Sequence, residues 1–432
     1  MIGKLWRRLF LEERPSIGLA LFRPALAWTV GAHVIPSLLR LQDNYLSTAF
    51  KEKNGSFFPL PILLAVEASP EWLIRCAAVL FCVFTVSFGL GLFTQASAIA
   101  MTLGCYYFYA LNSLHIGTLS YDILLVTLSL ACVTGYMGDS FSLDQLRRGD
   151  LGGYTKQRPF FIQRLLQIQL AGTFWGTALG KLSADGNWIS GNPYFALMHY
   201  PPEGVVRSFL AREWLAAHPQ VCYGLGIALI GFEFLLPILW WVPRTRPFGI
   251  VLGIAFQLML WLTLHVPTIF LFLFPALMLL FVPPETWLGL IERARSRQAQ
   301  AGRALLVYDG RCGFCQESVK RVQVLDLFGY LDLRDCHALE NPAALYPALS
   351  RERCAEEMIL IEPGGRLSGG FEAFRRMTTR LPLLMGVAPF VHLPGVAWLG
   401  TRVYRWVASH RYLIWPRANA CAVGPDHGSA NT

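Results

Sequence analysis

The sequence is short of charged residues for its length. Only 15% of its 432 residues are Asp, Glu, Lys or Arg, whereas 54% are hydrophobic, and the mean hydropathy is +0.42. A soluble domain usually carries about 25% charged residues. Because so little charge cannot cover the water-facing surface of a chain this large, the composition excludes an ordinary soluble enzyme and predicts that much of the chain faces lipid.

Motifs that would indicate a bound nucleotide or haem are missing. The sequence has no dinucleotide-binding glycine fingerprint, no P-loop and no haem attachment motif. It also lacks a basic stripe interleaved with stacking aromatic residues, so the net charge of +9 is not expected to bind nucleic acid. We assign this charge to membrane topology and to contact with anionic lipid headgroups.

The ten cysteines do not form the spaced pattern of a secreted disulfide framework. Half of them lie in apolar runs, where they are expected to be small buried side chains: Cys76, Cys82, Cys105, Cys132 and Cys222. Only Cys312 and Cys315 are a close pair. Cys336, Cys354 and Cys421 are scattered around that pair, and we expect Cys336 and Cys354 to be buried or accessory thiols.

Residues 1–285 are dominated by long apolar runs, and about eight of these approach the ~20 residues that cross a bilayer. The predicted spans are 17–40, 70–93, 95–113, 119–138, 160–181, 221–242, 247–265 and 267–283. The first predicted domain is therefore a polytopic α-helical membrane bundle.

The distribution of Lys and Arg predicts the orientation of this bundle. With the N-terminus inside, the inner segments hold fifteen Lys and Arg residues and the outer segments hold six. An even number of spans then places both termini in the cytoplasm. The compact loops and the lack of a recognisable targeting peptide favour a bacterial inner membrane.

The pattern changes after a basic helical linker at 286–303. Short β and α segments alternate over residues 304–415, with strands expected at 304–308, 330–334 and in a hairpin at 358–369, and helices at 316–327 and 371–379. This alternation predicts a small α/β sandwich. Residues 416–432 are rich in Gly, Ser and Asn and are expected to be a flexible tail.

The segment from Asp309 to Cys315 joins the first of these strands to a helix. Cys312 is expected at the helix N-terminus, where backbone N–H groups, the helix dipole and Arg311 favour a thiolate. Cys315 lies one turn later and could resolve a mixed disulfide, while Asp309 could relay its proton. Zinc binding with Cys336, His337 or Cys354, and inert thiols, remain alternatives, although a second close ligand pair is missing.

The stretches LLVYDGRCGFCQESVKRV, IEPGGRLSGGFEAFRRM and VYRWVASHRY resemble the DCC thiol–disulfide oxidoreductase family over residues 304–414. The resemblance implies a thioredoxin-like fold, dithiol–disulfide exchange and functional positions at Asp309, Gly310, Cys312 and Cys315. Thioredoxins proper place a cis-proline before the third strand, whereas this sequence has Glu357 before Met358.

Polar residues inside apolar spans are costly and therefore informative. They are Arg23, His33, Arg75, Asp122, Lys181, Glu233 and His265. The segments GKLSADGNWISG and FEFLLP resemble the HTTM domain of the vitamin K-dependent γ-carboxylase family. That resemblance makes Lys181 the match of a lysine base for quinol chemistry, although this chain has one lysine where the carboxylase has two. We do not expect carboxylation itself.

The leading hypothesis is a membrane-bound thiol–disulfide oxidoreductase that acts on a protein or small-molecule thiol or disulfide. Cys312 attacks, Cys315 resolves, and the bundle anchors the domain in the lipid bilayer and is a candidate binder of a quinone or lipid. One alternative is a γ-carboxylase-like enzyme with Lys181 as the base and the dithiol as its electron supply. Another is a non-enzymatic redox-sensing partner in maturation or transport.

Overall fold

The computed structural model describes residues 7–46, 65–66, 68–111, 119–133, 135–183, 188–189, 192–200, 206–207, 211–265, 268–341, 343 and 346–414. The chain divides into two compact units. The membrane unit comprises residues 1–144 and 153–287, and the α/β unit comprises residues 145–152 and 288–432. Each unit is described by itself.

Helices dominate the chain up to residue 301. They are α1 (Ile17–Leu39), α2 (Glu71–Leu90), α3 (Thr94–Leu111), α4 (Leu119–Cys132), α5 (Leu143–Arg148), α6 (Phe161–Ser183), α7 (Asn192–His199), α8 (Arg212–Ala217), α9 (Pro219–Trp241), α10 (Arg246–Thr263), α11 (Thr268–Leu279) and α12 (Pro284–Ala301). A short antiparallel pair, β1 (Glu13–Pro15) with β2 (Gln157–Pro159), precedes α1 and α6.

Arg23 shows how the membrane unit accommodates a buried charge. Its side chain in α1 is 1% exposed, and its guanidinium donates to the carbonyl oxygens of Met137, at 2.6 Å, and Phe141, at 2.5 Å. A third carbonyl, that of Gly89, accepts from Nε at 3.4 Å. Because buried polar groups are stable when they are hydrogen-bonded, Arg23 ties the end of α2 and the loop after α4 to α1. Its role is structural.

Each of the eight predicted spans contains a helix among its described residues, but the helices differ in how well they fit a bilayer. Among the described residues, four are long and apolar enough to cross a membrane: Ile17–Leu39, Glu71–Leu90, Pro219–Trp241 and Arg246–Thr263. The segments Ile269–Leu279 and Pro284–Ala301 pass the same test together, but they are bent by 81°. The structure therefore supports four or five candidate spans, and the count of about eight stays a prediction.

Most of α12 belongs to the α/β unit. The elements that follow α12 are β3 (Ala304–Tyr308), α13 (Gly313–Leu325), β4 (Leu331–Asp335), α14 (Arg351–Glu356), β5 (Ile359–Ile361), β6 (Leu367–Gly369), α15 (Gly370–Arg380), α16 (Ala388–Val391) and α17 (Val396–Ile414). The strands form one mixed sheet in the order β4-β3-β5-β6. β3 pairs parallel with β4 and antiparallel with β5, and β5 and β6 form a hairpin.

Alternating side chains of the sheet build a core on each of its two faces. Leu306 and Leu360 belong to a cluster with Val319, Val322, Ala373 and Met377, from α13 and α15. Val307 and Ile359, one position along, point to the opposite face, where they pack with Leu349, Cys336 and Cys354. The strands are therefore covered on both sides, and the loop after β3 lies at the edge where the carboxyl ends of the parallel strands β3 and β4 meet.

Candidate active site

The dithiol lies at the junction between β3 and α13. Cys312 is the N-cap of α13, with φ −93° and ψ 111°, and its Sγ accepts a hydrogen bond from the Cys315 backbone N–H at 3.3 Å. This places the Cys312 sulfur at the positive end of the helix dipole. Both side chains are free thiols and both are buried, with Cys312 0% and Cys315 5% exposed. No pattern in the sequence predicts the complete burial of Cys312.

A buried carboxylate organises the turn before the dithiol. Asp309 is 3% exposed, and its Oδ1 accepts from the Arg311 backbone N–H at 3.0 Å. The same oxygen lies 2.9 Å from His337 Nε2, on the segment that follows β4. Arg411 in α17 approaches the other oxygen, with Nη2 3.7 Å from Oδ2. Asp309 therefore sits between a histidine ring and a guanidinium.

Gly310 is required by a close approach in this turn. Its backbone N–H donates to Asp335 Oδ1 at 2.9 Å, and a Cβ at this position would overlap the Asp335 carboxylate. Asp335 also accepts from the backbone N–H of His337 at 3.0 Å. The end of β4 is therefore bonded both to the dithiol turn and to the histidine that contacts Asp309.

The electrostatics around Cys315 hold its thiol in the neutral form. Burial raises the pKa of Cys315 to about 12, and the hydrogen bond and charge of Cys312 act in the same direction. The guanidinium of Arg411, whose Nη1 lies 3.9 Å from Cys315 Sγ, lowers this pKa, whereas the Asp309 carboxylate raises it. Cys315 thus has both a cation that can stabilise its thiolate and a buried carboxylate nearby.

A small cavity lies beside Cys315. It has a volume of about 30 Å³, room for a water molecule or two. Its lining residues include Asp309, Cys315, Cys354, Met358, Tyr404 and Arg411. Tyr404 accepts a hydrogen bond from the Met358 backbone N–H at 3.0 Å. Because Tyr404 and Arg411 both belong to α17, this helix forms one wall of the dithiol site. Its Tyr404 hydroxyl also accepts the hydrogen bond of the backbone N–H that precedes β5.

Two other cysteines of this unit, Cys336 and Cys354, belong to one cluster. Cys336 starts the single helical turn after β4, and Cys354 lies in α14. They are 0% and 1% exposed, and both belong to the apolar cluster on the face that carries Val307 and Ile359. In the part of the chain that the structure describes, no group of three or more His, Cys, Asp or Glu side chains could hold a metal ion.

In the membrane unit, Lys181 of α6 and Glu233 of α9 form an ion pair. Lys181 Nζ lies 2.7 Å from both carboxylate oxygens, and the side chains are 18% and 8% exposed. The Lys181 ammonium also lies 5.6 Å from the centre of the Trp188 ring. The two segments that carry the resemblance to the HTTM domain therefore meet, and a base role for Lys181 would require its proton to pass to or from Glu233.

The positions of the other polar residues in the predicted spans indicate less about function. Arg75 pairs with Glu71 one turn before it in α2, and both side chains are more than half exposed. His33 and His265 lie at the surface of the two predicted spans that contain them, partly or fully accessible. The side chain of Asp122, as well as Cys421, falls outside the described part of the chain. The candidate site of the membrane unit therefore consists of Lys181, Glu233 and Trp188.

Sequence reasoning found the dithiol and Asp309 and placed His337 near the dithiol only as a zinc ligand; it missed His337 as the partner of Asp309 and missed Arg411 altogether. His337 had a usable signal, because the ends of two parallel strands joined by one helix meet at the same edge of a sheet. Arg411 had none beyond its place in the VYRWVASHRY stretch, since the position of α17 depends on tertiary packing 96 residues beyond Cys315.

An apolar helical unit followed by an α/β unit with a Cys-x-x-Cys turn defines an integral membrane protein with a redox domain. Residues 15–287 match the model of the HTTM domain, which covers more than half of the chain, and the chain belongs to the HTTM domain family. Residues 306–417 match the model described as DCC1-like thiol-disulfide oxidoreductase. The predicted fusion of these two domains, in this order, is confirmed. Neither a curated protein nor a solved structure gave a significant match.

Proposed function

We propose that the α/β unit is a thioredoxin-like dithiol–disulfide oxidoreductase, held at the membrane by the HTTM domain. The observation that carries this proposal is the placement of Cys312 as the N-cap of α13, one helical turn from a Cys315 thiol that Arg411 and Asp309 flank. The βαβ unit followed by a hairpin and a helix supports the thioredoxin-like fold, and the match to the DCC1-like family supports the class of reaction.

The reaction consists of two thiol–disulfide exchanges. The Cys312 thiolate attacks one sulfur of a substrate disulfide, and the other substrate sulfur leaves and takes up a proton. The Cys315 thiol then passes its proton to Asp309 through the cavity that both residues line, and its thiolate attacks Cys312 Sγ. The substrate leaves as a dithiol, the enzyme keeps a Cys312–Cys315 disulfide, and an external thiol returns it to the reduced state.

The burial of Cys312 sets a condition on this mechanism. Because its sulfur is inaccessible in the closed structure, a substrate reaches it only after local opening of the domain. The proposed substrates are therefore protein segments or small molecules that can displace the residues packed over the dithiol.

Turnover of the full-length chain in detergent tests the proposal. The probe is a fluorescent disulfide-linked peptide, with dithiothreitol as the reductant. Cys312→Ser and Cys315→Ser are expected to lower turnover about 100-fold or more, because each removes one of the two sulfurs of the exchange. Cys76→Ser, which removes an exposed thiol of the membrane unit, is the matched control and should keep full activity. Retained turnover in Cys312→Ser would reject the proposal.

The Lys181–Glu233 pair favours a second candidate function, in which the membrane unit binds a quinone and is itself catalytic. In this γ-carboxylase-like alternative, Glu233 takes the proton of Lys181, Lys181 acts as the base, and the dithiol supplies electrons. Redox turnover that disappears in Lys181→Ala as well as in Cys312→Ser would favour it. Turnover that survives Lys181→Ala favours the independent dithiol enzyme, and a cellular role that survives both changes would favour a redox-sensing partner.

We also propose a bacterial inner membrane, about eight spans and a cytoplasmic α/β unit, as the Lys and Arg distribution indicates. Because Cys312 is buried, sidedness is best read from introduced thiols at exposed positions. With an impermeant maleimide, Arg405→Cys should react only after cell lysis and Glu213→Cys should react in intact cells. Labelling of Arg405→Cys in intact cells would contradict this orientation.

A further inference from the structure

The α/β unit contains a second pair of thiols that the proposed reaction does not use. Cys336 follows β4 and Cys354 lies in α14, 18 positions later in the sequence. The two side chains pack in one apolar cluster, and the Cys354 thiol is close enough to contribute to the raised pKa of Cys336. A single buried cysteine is most often only a small apolar side chain. Two thiols packed in one cluster, however, can approach each other to form a disulfide.

Cys354 also connects this pair to the dithiol. It lines the same small cavity as Cys315, so the wall of this cavity contains one sulfur-bearing residue from each pair. Asp309 and Arg411 line that cavity too, which gives it a proton acceptor and a cation beside the sulfur of Cys315. Cys312 and Cys336 are the outer members of the two pairs: Cys312 Sγ accepts from the Cys315 backbone N–H, and Cys336 packs in one cluster with Cys354.

From this arrangement we infer that Cys336 and Cys354 are a second redox-active dithiol, which reduces the Cys312–Cys315 disulfide from within the domain. This inference rests on the proposed thiol–disulfide activity and names the electron source next to that site. It makes the α/β unit a carrier of two disulfide couples instead of one.

The transfer balances as two exchanges. The Cys354 thiolate attacks Cys315 Sγ, a Cys315–Cys354 bond forms, and Cys312 leaves as a thiolate. The Cys336 thiolate then attacks Cys354 Sγ, a Cys336–Cys354 bond forms, and Cys315 leaves as a thiolate beside Arg411. Two electrons pass to the Cys312–Cys315 pair, and the two protons lost by Cys336 and Cys354 are taken up by Cys312 and Cys315.

Burial determines when this exchange can run. Burial and the neighbouring Cys354 thiol raise the pKa of Cys336 to about 12, and burial also raises the pKa of Cys354. Because both thiols are buried, outside oxidants reach them slowly, whereas Cys354 lines the same cavity as Cys315 and is placed to react once a disulfide forms there. The second pair therefore acts as an internal reserve.

Counting substrate equivalents tests the inference. The full-length chain is reduced, freed of reductant and mixed with excess disulfide-linked peptide. The wild-type chain should reduce about two equivalents, and the Cys336→Ala/Cys354→Ala variant about one. Cys76→Ala/Cys82→Ala, which removes two thiols from α2, is the control and should match the wild type. Peptide mapping after the reaction should find Cys336 bonded to Cys354 in the wild-type chain.

The outcomes separate this inference from the proposed function. One equivalent in the wild type, with Cys336 and Cys354 still alkylatable, would overturn the second pair and leave the dithiol enzyme intact. No reduction in any variant would mean that the proposed function itself has failed. A Cys312→Ala/Cys336→Ala variant gives a second measurement, because mild oxidation with oxidised dithiothreitol should then trap a Cys315–Cys354 bond. Failure of that bond to form would also overturn the inference.

Discussion

Arg411 and Cys315 are 96 positions apart in the sequence, yet Arg411 Nη1 lies 3.9 Å from Cys315 Sγ. Both side chains are buried, and Arg411 also approaches Asp309. A buried guanidinium beside a thiol favours the thiolate, and burial opposes it. The helix α17 thus supplies a charge that lowers the pKa of the second cysteine of the motif.

The first prediction concerns this contact. Arg411→Gln should raise the pKa of Cys315 above its already raised value, because the variant loses the one nearby cation that lowers it. The thiolate fraction of Cys315 then falls, the resolving step slows by about tenfold at neutral pH, and its rate-against-pH curve moves to higher pH. Stopped-flow measurement of mixed-disulfide decay between pH 6 and pH 10 checks this.

Arg405→Gln is the matched control, since Arg405 is an exposed residue of the same helix. Its decay curve should coincide with that of the wild type. If Arg411→Gln gave the same curve as well, the guanidinium would have no part in activating Cys315.

The second prediction separates the charge of Asp309 from its proton-accepting role. The Asp309 carboxylate raises the pKa of Cys315, so Asp309→Asn should lower that pKa. The resolving step should nevertheless slow at neutral pH, because the cavity loses its proton acceptor. Iodoacetamide titration gives the pKa, and mixed-disulfide decay gives the rate. Asp332→Asn, an exposed carboxylate on β4, should change neither. If Asp309→Asn lowered the pKa of Cys315 and also speeded the decay of the mixed disulfide, the proton relay would be refuted.

The sequence predicted the four strands of the α/β unit and its helices α13 and α15, because local signals define them, but it did not predict α14, α16 or α17. The alternation of apolar residues around Leu306 and the turn at Asp309 and Gly310 mark where a strand ends and a helix begins. The contacts of Arg411 with Cys315 and Asp309 could not be predicted, since they depend on how α17 packs. Lys181 and Glu233 were each found from the sequence, but only the structure pairs them across 52 positions.

The third prediction addresses that ion pair. Lys181→Met leaves the carboxylate of Glu233 buried without its cation, and the free energy of unfolding should fall by about 3 kcal/mol. Lys181→Met/Glu233→Met removes both charges and should recover most of the loss. Thermal unfolding in detergent measures both, with Arg75→Gln as the control because its exposed pair with Glu71 contributes less than about 1 kcal/mol. If the single and double variants were equally destabilised, the ion pair would not be the source of the lost free energy of unfolding.

The fourth prediction tests the close approach at Gly310. Gly310→Ala places a methyl group against the Asp335 carboxylate, so the turn must shift at a cost of about 2 kcal/mol. The α/β unit should unfold more easily, and peptide reduction should slow because the turn positions Cys312. Gly364→Ala is the control, since a Cβ there meets no atom within 4 Å. Hydrogen exchange of the β3 amides measures the stability of the α/β unit, and the turnover rate measures peptide reduction. If both were unchanged in Gly310→Ala, the close approach would not matter for either.

The most direct test of the central claim is to trap the covalent intermediate of the full-length chain. Cys315→Ser keeps the Cys312 sulfur at the N-terminus of α13 but removes the thiol that resolves the mixed disulfide. When this variant meets the disulfide-linked peptide without reductant, mass spectrometry should find about one peptide per chain, attached to Cys312. Peptide found mainly on other cysteines, or the same amount bound by Cys312→Ser, would contradict the assignment of Cys312 as the attacking thiol.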